Sequence, residues 1–107
     1  MCAVKLVILS ADGDKMLYSV PDAAANGLDG YCMEFCTNWL WNSPHAEQYR
    51  RTRRNPDGTA FAYVSYTEAD FIAWLNRWKF PSQPSFPAGR FDGDAPEPYR
   101  DCPRFDF

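Results

Sequence analysis

Residues 81–107 read PSQPSFPAGRFDGDAPEPYRDCPRFDF, and the fold turns on how this stretch is understood. It holds most of the chain's prolines and has no helical period, yet it carries Phe86, Phe91, Tyr99, Phe105 and Phe107. Disordered tails are poor in aromatics, because without a buried face such residues offer nothing against the entropy of ordering. The stretch is therefore expected to lie down on a surface: its own domain, a second copy or another protein. Residues 1–80 carry clean strand and helix patterns instead. The chain reads as a compact domain over 1–80 followed by an extended, Pro-rich tail over 81–107.

Working back from Pro81, the helix before it stops at Phe80, as helices do ahead of proline. That helix carries Phe71, Ile72, Trp74, Leu75 and Trp78 on an apolar stripe. Thr67-Glu68-Ala69-Asp70 has the form of a capping box at its start, with Asp in place of Glu. Thr59–Tyr66 is β-branched and aromatic and reads as a strand, with Phe61 and Tyr63 opposed to Val64 and Tyr66. Asn55-Pro56-Asp57-Gly58 before it is a turn. Ser43 as N-cap and Pro44 at the first position predict a short helix to about Arg51.

Further back, Leu28, Tyr31, Cys32, Phe35, Cys36, Trp39 and Leu40 recur at helical spacing. This helical region opens at Pro21-Asp22, and Gly27 and Gly30 weaken its first half. At the N-terminal end, Val4–Ser10 and Lys15–Val20 form a hairpin about the Asp12-Gly13 turn. Val4, Leu6 and Ile8 alternate against Val7 and Leu9; Met16, Tyr18 and Val20 alternate against Leu17 and Ser19. The order is ββααβα. It predicts an α+β fold, a three-stranded, mostly antiparallel sheet with two to three helices on one face.

The chain has 107 residues, a single-domain length. Its net charge of −3 argues against generic nucleic-acid affinity, which rests on an excess of Lys and Arg. The opening apolar run is too short for a signal h-region, and no stretch approaches the roughly 20 apolar residues of a membrane span. The expectation is a cytoplasmic protein with reduced cysteines. Were it exported, Cys2 with Cys102 would be the sensible disulfide.

Cys32, Cys36, His45 and Cys102 are zinc-ligand types, but no second knuckle pair completes a site, and Cys32 and Cys36 fall on the apolar stripe. They read as core, and no metal or other cofactor is expected. Cys–His catalysis lacks any signature that brings its partners together, so an enzyme is the weaker reading. Asp12-Gly13-Asp14 begins like a calcium loop without the remaining ligands.

Tyr49-Arg50-Arg51-Thr52-Arg53-Arg54 is the only concentrated charge. Its guanidiniums have the geometry to grip phosphate or carboxylate, and Tyr49 and His45, one helical turn apart, are spaced to stack on a base. The simpler reading places the arginines at a helix C-terminus, solvated or paired with the acidic tail. Trp39, Trp74 and Trp78 fit the helix stripes and read as core. Trp41 falls off the stripe and suits a partner contact.

Two functions follow. The first is a non-enzymatic protein-interaction module, held to a protein partner or to a second copy as a homodimer by Trp41 and the tail residues Phe86, Phe91, Tyr99, Phe105 and Phe107. The second is an anion- or nucleic-acid-binding domain centred on Tyr49, Arg50, Arg51, Arg53 and Arg54.

Overall fold

The computed structural model describes residues 4–11, 15–91 and 96–107. Strand β1 (Val4–Ser10) runs antiparallel to β2 (Lys15–Pro21), with Val7 opposite Tyr18 and Leu9 opposite Met16. Side chains alternate across the pleat as the sequence predicts. Val7, Leu9, Tyr18 and Val20 join the main core cluster, while Ile8 and Leu17 are buried on the reverse face. The Asp12-Gly13 turn and Cys2 lie outside the described residues. Cys32, Cys36 and Cys102 are free thiols.

Helices α1 (Asp22–Asn26) and α2 (Leu28–Met33) follow, and α2 passes through a π-helical turn, Glu34–Trp39, into α3 (Leu40–Asn42). A 3₁₀ helix, Pro44–Tyr49, leads into β3 (Arg50–Arg54), which pairs with β4 (Ala60–Val64). Helix α4 (Glu68–Trp74) continues into a second π-helical turn, Leu75–Lys79, in which the Phe80 N–H reaches back to the Leu75 carbonyl at 2.7 Å. The chain ends with β5 (Phe86–Phe91), a short 3₁₀ turn Glu97–Tyr99, and β6 (Arg104–Asp106).

The helices bury Ala24, Leu28, Cys32, Phe35, Leu40, Phe71, Trp74 and Leu75 against the Val7–Tyr18 face of the sheet. Phe35 is the hub. Wholly buried, it meets the rings of Trp39, Tyr66, Phe71 and Trp74 at 5.7, 5.5, 5.6 and 5.5 Å. Each such pair adds about 0.5–1.5 kcal/mol beyond simple area burial. The cap expected on α4 is present: the Thr67 N–H donates to Asp70 Oδ2 at 2.9 Å.

The α+β class holds, but the three-stranded ββααβα layout does not. The structure has a mixed four-stranded sheet, ordered β5-β2-β1-β6, and a separate two-stranded sheet, β3-β4. The extended stretch after Pro81 supplies both flanking strands. β5 lies antiparallel to β2, and β6 lies parallel to β1, tied by Ile8 N–H to the Pro103 carbonyl at 2.9 Å and Phe107 N–H to the Ser10 carbonyl at 2.7 Å. Both edges of the hairpin would otherwise present unpaired backbone groups, and the tail satisfies them. Pro87 is tolerated because β5 is an edge strand. Asn76 aligns that strand by accepting from the Ser85 N–H at 2.6 Å and donating to the Ser85 carbonyl at 3.0 Å.

Three further expectations are corrected. The short helix predicted from Ser43 to about Arg51 is a 3₁₀ helix that stops at Tyr49, so the arginines are not at a helix C-terminus but on strand β3. The strand predicted over Thr59–Tyr66 does not join the main sheet, because its partner is this arginine strand, whose burial would desolvate several charges at once. Trp78, predicted to be core, is 41% exposed. The wider π-helical turn takes more residues to come round, so the 3.6-residue stripe loses phase after Leu75 and Trp78 is carried outward.

Candidate nucleic-acid interface

Strands β3 and β4 form a ribbon that stands off the body. Every residue of the two strands is exposed except Arg50 and Val64, at the root where the strands meet the body. The molecule measures 53 × 32 × 18 Å, and its 15.4 Å radius of gyration exceeds the roughly 13 Å of a compact chain this long, as an outstanding arm requires. Its far end is closed by the predicted turn. Gly58 takes a positive φ of 91°, which a residue with a Cβ rarely adopts. Asp57 Oδ1 accepts from the Thr59 N–H at 2.9 Å and the Thr59 hydroxyl at 2.6 Å, and these bonds hold its carboxyl below the usual carboxylate range.

Register decides which side chains share a face. Arg51 lies opposite Tyr63 and Arg53 opposite Phe61, and directly opposed residues of an antiparallel pair project to the same side. One face therefore carries Arg51, Arg53, Phe61 and Tyr63. Phe61 and Tyr63 are 45% and 40% exposed, with ring centroids 6.0 Å apart. The reverse face pairs Arg50, Thr52 and Arg54 with the small residues Val64, Ala62 and Ala60.

The arginines divide by role. Arg50 is half-buried and its guanidinium donates to the Ser43 carbonyl, bracing the ribbon root against the start of the 3₁₀ helix. Arg51 donates to the carbonyls of Gln48 and, at 3.0 Å, of Arg50. Among the described residues the side chains of Arg53 and Arg54 make no hydrogen bond or ion pair. The acidic tail was the expected internal partner. Of its described members, Asp106 pairs with Arg104 at 3.3 Å, and neither Glu97 nor Asp101 bridges to the cluster; Asp92 and Asp94 lie outside the described residues. Tyr49 is half-buried at the root, 6.2 Å from the Trp39 ring, and His45 packs on Trp78 at 4.9 Å.

The tail aromatics are not brought into one patch, although Phe105 and Phe107 meet with ring centroids 4.9 Å apart. Phe86, 55% exposed, and Phe91, half-buried, lie on β5, while Phe105 and Phe107 lie at the opposite edge of the sheet and pack against the core. Phe107 reaches the rings of Tyr66 and Phe71, each at 5.5 Å. Tyr99 is half-buried in its 3₁₀ turn, and Trp41 is 39% exposed on α3, as its off-stripe position predicts. Cys32 is fully buried, and desolvation, with Cys36 and Asp29 adding to it, pushes its thiol well up, away from the thiolate that a nucleophile or a metal ligand needs. Among the described residues no three of His, Cys, Asp or Glu stand together as a metal site, and no helix is long and apolar enough to cross a membrane.

Sequence reasoning singled out the arginines but missed Phe61 and Tyr63. A usable signal was present: a strand alternating aromatics with alanines, one tight turn after an arginine-rich segment, has a charged neighbour and must keep its rings in water. No protein family, curated protein or solved structure matches the chain.

Proposed function

We propose that this protein is a non-enzymatic binding domain whose β3–β4 ribbon takes up single-stranded nucleic acid. One observation carries the reading: Arg51, Arg53, Phe61 and Tyr63 share one exposed face. Single-strand binders combine cations that follow the phosphates with aromatic rings on which bases stack, each stack being worth about 1–3 kcal/mol. The net charge of −3 weighs less than its distribution, since the ribbon sets four arginines against Asp57 alone. Against assembly through the tail stands the use of Phe105 and Phe107 inside the chain's own core, and the presence of Pro87, which has no N–H to give, on the exposed β5 edge.

The test is fluorescence anisotropy of a labelled single-stranded oligonucleotide of about ten nucleotides, a length within the usual site sizes. With Arg51 and Arg53, the two arginines of that face, engaged, log K against log salt should fall with a slope of about −1.4. Absence of binding at low salt, or binding indifferent to salt, would remove the proposal.

A further inference from the structure

A cleft of about 110 Å³ opens at the ribbon root. Four elements build it, with α4 giving Asp70, Ala73 and Trp74. The first π-helical turn gives Trp39, the second gives Arg77 and Trp78, and the 3₁₀ helix gives His45, Gln48 and Tyr49. Trp74, 3% exposed, is its buried wall, and the indole Nε1 of Trp74 is buried with no hydrogen-bond partner. Buried polar groups almost always find partners, so an orphaned donor on a residue that lines a cleft is open to an acceptor from outside. π-helical turns are rare and gather at functional sites. Here two of them are linked by the Lys79–Glu34 ion pair at 2.6 Å, and both deliver aromatic rings to the same cleft.

The lining selects the ligand. Trp39 lies 6.3 Å from Trp74 and His45 lies 4.9 Å from Trp78, so the walls favour a flat ring. The Trp74 N–H demands an acceptor on that ring. A quaternary ammonium, the usual occupant of an aromatic cage, is disfavoured because resident cations already sit on two of the rings: Arg77 over Trp78 at 5.0 Å and Lys79 over Trp74 at 5.3 Å. The same Arg77, exposed at the rim, suits a phosphate. At about 110 Å³ the cleft is smaller than the roughly 150 Å³ cavity that holds benzene, so it takes the edge of one ring and leaves the rest of the ligand outside.

The cleft is also contiguous with the ribbon. Tyr49 runs directly into β3, and Arg51 of the aromatic face donates to the carbonyl of Gln48, a lining residue. We infer that the cleft binds one nucleobase of the strand carried on the ribbon, with the Trp74 N–H donating to a ring carbonyl or nitrogen and Arg77 meeting the attached phosphate. This inference rests on the proposed nucleic-acid reading and names the base-specific part of it.

The experiment titrates uridine or adenosine monophosphate into the full chain and follows tryptophan fluorescence, with choline as the cationic control. Saturable quenching by one of the nucleotides is expected, weakened about ten-fold or more in Trp74→Phe, which keeps the ring packing but loses the N–H. Should Trp74→Phe not fold, Arg77→Ala at the rim carries the test, by erasing the preference for the monophosphate over its nucleoside. The ribbon variant Arg53→Ser/Phe61→Ser should bind the mononucleotide as the parent does while losing the oligonucleotide. Quenching by choline but not by either nucleotide, or mononucleotide binding indifferent to both cleft variants, overturns the inference. Oligonucleotide binding that needs the ribbon but ignores the cleft variants also overturns it, and leaves the ribbon reading standing. Mononucleotide binding sensitive to the cleft variants, with oligonucleotide affinity unaffected by the ribbon variant, upholds the cleft and removes the ribbon.

Discussion

Two stretches of this chain are extended, aromatic and rich in charge, and they meet opposite fates. The C-terminal stretch places β5 and β6 on the two edges of the hairpin, and its last residue, Phe107, lies against Phe35, Phe71 and Tyr66. The β3–β4 ribbon pairs only with itself and leaves Phe61 and Tyr63 in water. The partner strand decides between these outcomes. β6 lies beside the apolar β1, so its rings can turn inward, whereas β4 lies beside four arginines, and burying its rings would bury charge. A two-stranded ribbon without a core is marginal on its own. This one is held by the Asn55–Thr59 turn and by the Arg50 brace, and its exposed rings are free for a ligand.

The widest gap between the two regions should appear in stability. Phe107→Ala is expected to cost about 2–4 kcal/mol, somewhat under the full core value because the ring is half-buried, whereas Phe61→Ala should stay within about 0.5 kcal/mol. Urea denaturation of both variants measures this. Equal losses would break the comparison. The order should reverse for oligonucleotide affinity, where Phe61→Ala loses about ten-fold and Phe107→Ala, under conditions where it is folded, loses almost nothing.

The arginines offer a finer contrast within the ribbon. Arg50→Ala removes the brace to Ser43 and should lower stability by about 1 kcal/mol, while Arg53→Ala should leave stability unchanged and reduce the salt dependence of binding by one phosphate contact. Thermal melts beside binding isotherms in a salt series separate the two. Equivalent behaviour would mean that Arg50 is no brace.

Alkaline pH probes the docking of the tail. Burial, with Cys36 adding to it, pushes the Tyr66 hydroxyl up to about 12, and its ring abuts Phe107. A raised folded-state pKa stabilises the fold below the unfolded value of about 10 and is lost as pH climbs from there through about 12. Urea midpoints across this range should fall more steeply in the parent than in Tyr66→Phe; matching slopes would show that Tyr66 titrates as it does in the unfolded chain. The smallest effect belongs to Asp57. Its depressed carboxyl pKa supports the ribbon turn above the ordinary carboxylate range and is lost as pH falls through the folded-state value. Asp57→Asn should leave global unfolding unchanged and speed hydrogen exchange only in the ribbon amides.

Local patterns in the sequence carried the hairpin alternation, the Ser43 and Thr67 caps, the Asn55–Gly58 turn and the Phe35-bearing stripe, because each is set by neighbours within a few residues. Pairings at long sequence distance were not legible. Nothing local in Arg104–Asp106 says that it lies parallel to β1, and nothing in Phe86–Phe91 names β2 as its partner. The arginine cluster is legible as concentrated charge but is expected at the end of a helix and in the loop after it, since Ser43-Pro44 announces a helix whose 3₁₀ form ends early at Tyr49. Trp78 was misplaced because a π-helical turn breaks the period on which the stripe depends.

The central claim is that the ribbon binds and the tail strands hold the fold. Backbone amide chemical-shift mapping with a single-stranded oligonucleotide tests both halves in one spectrum. The account predicts perturbations over residues 49–64, with β5 and β6 unmoved. Perturbations confined to residues 86–91 and 104–107, or none at saturating oligonucleotide, would contradict it.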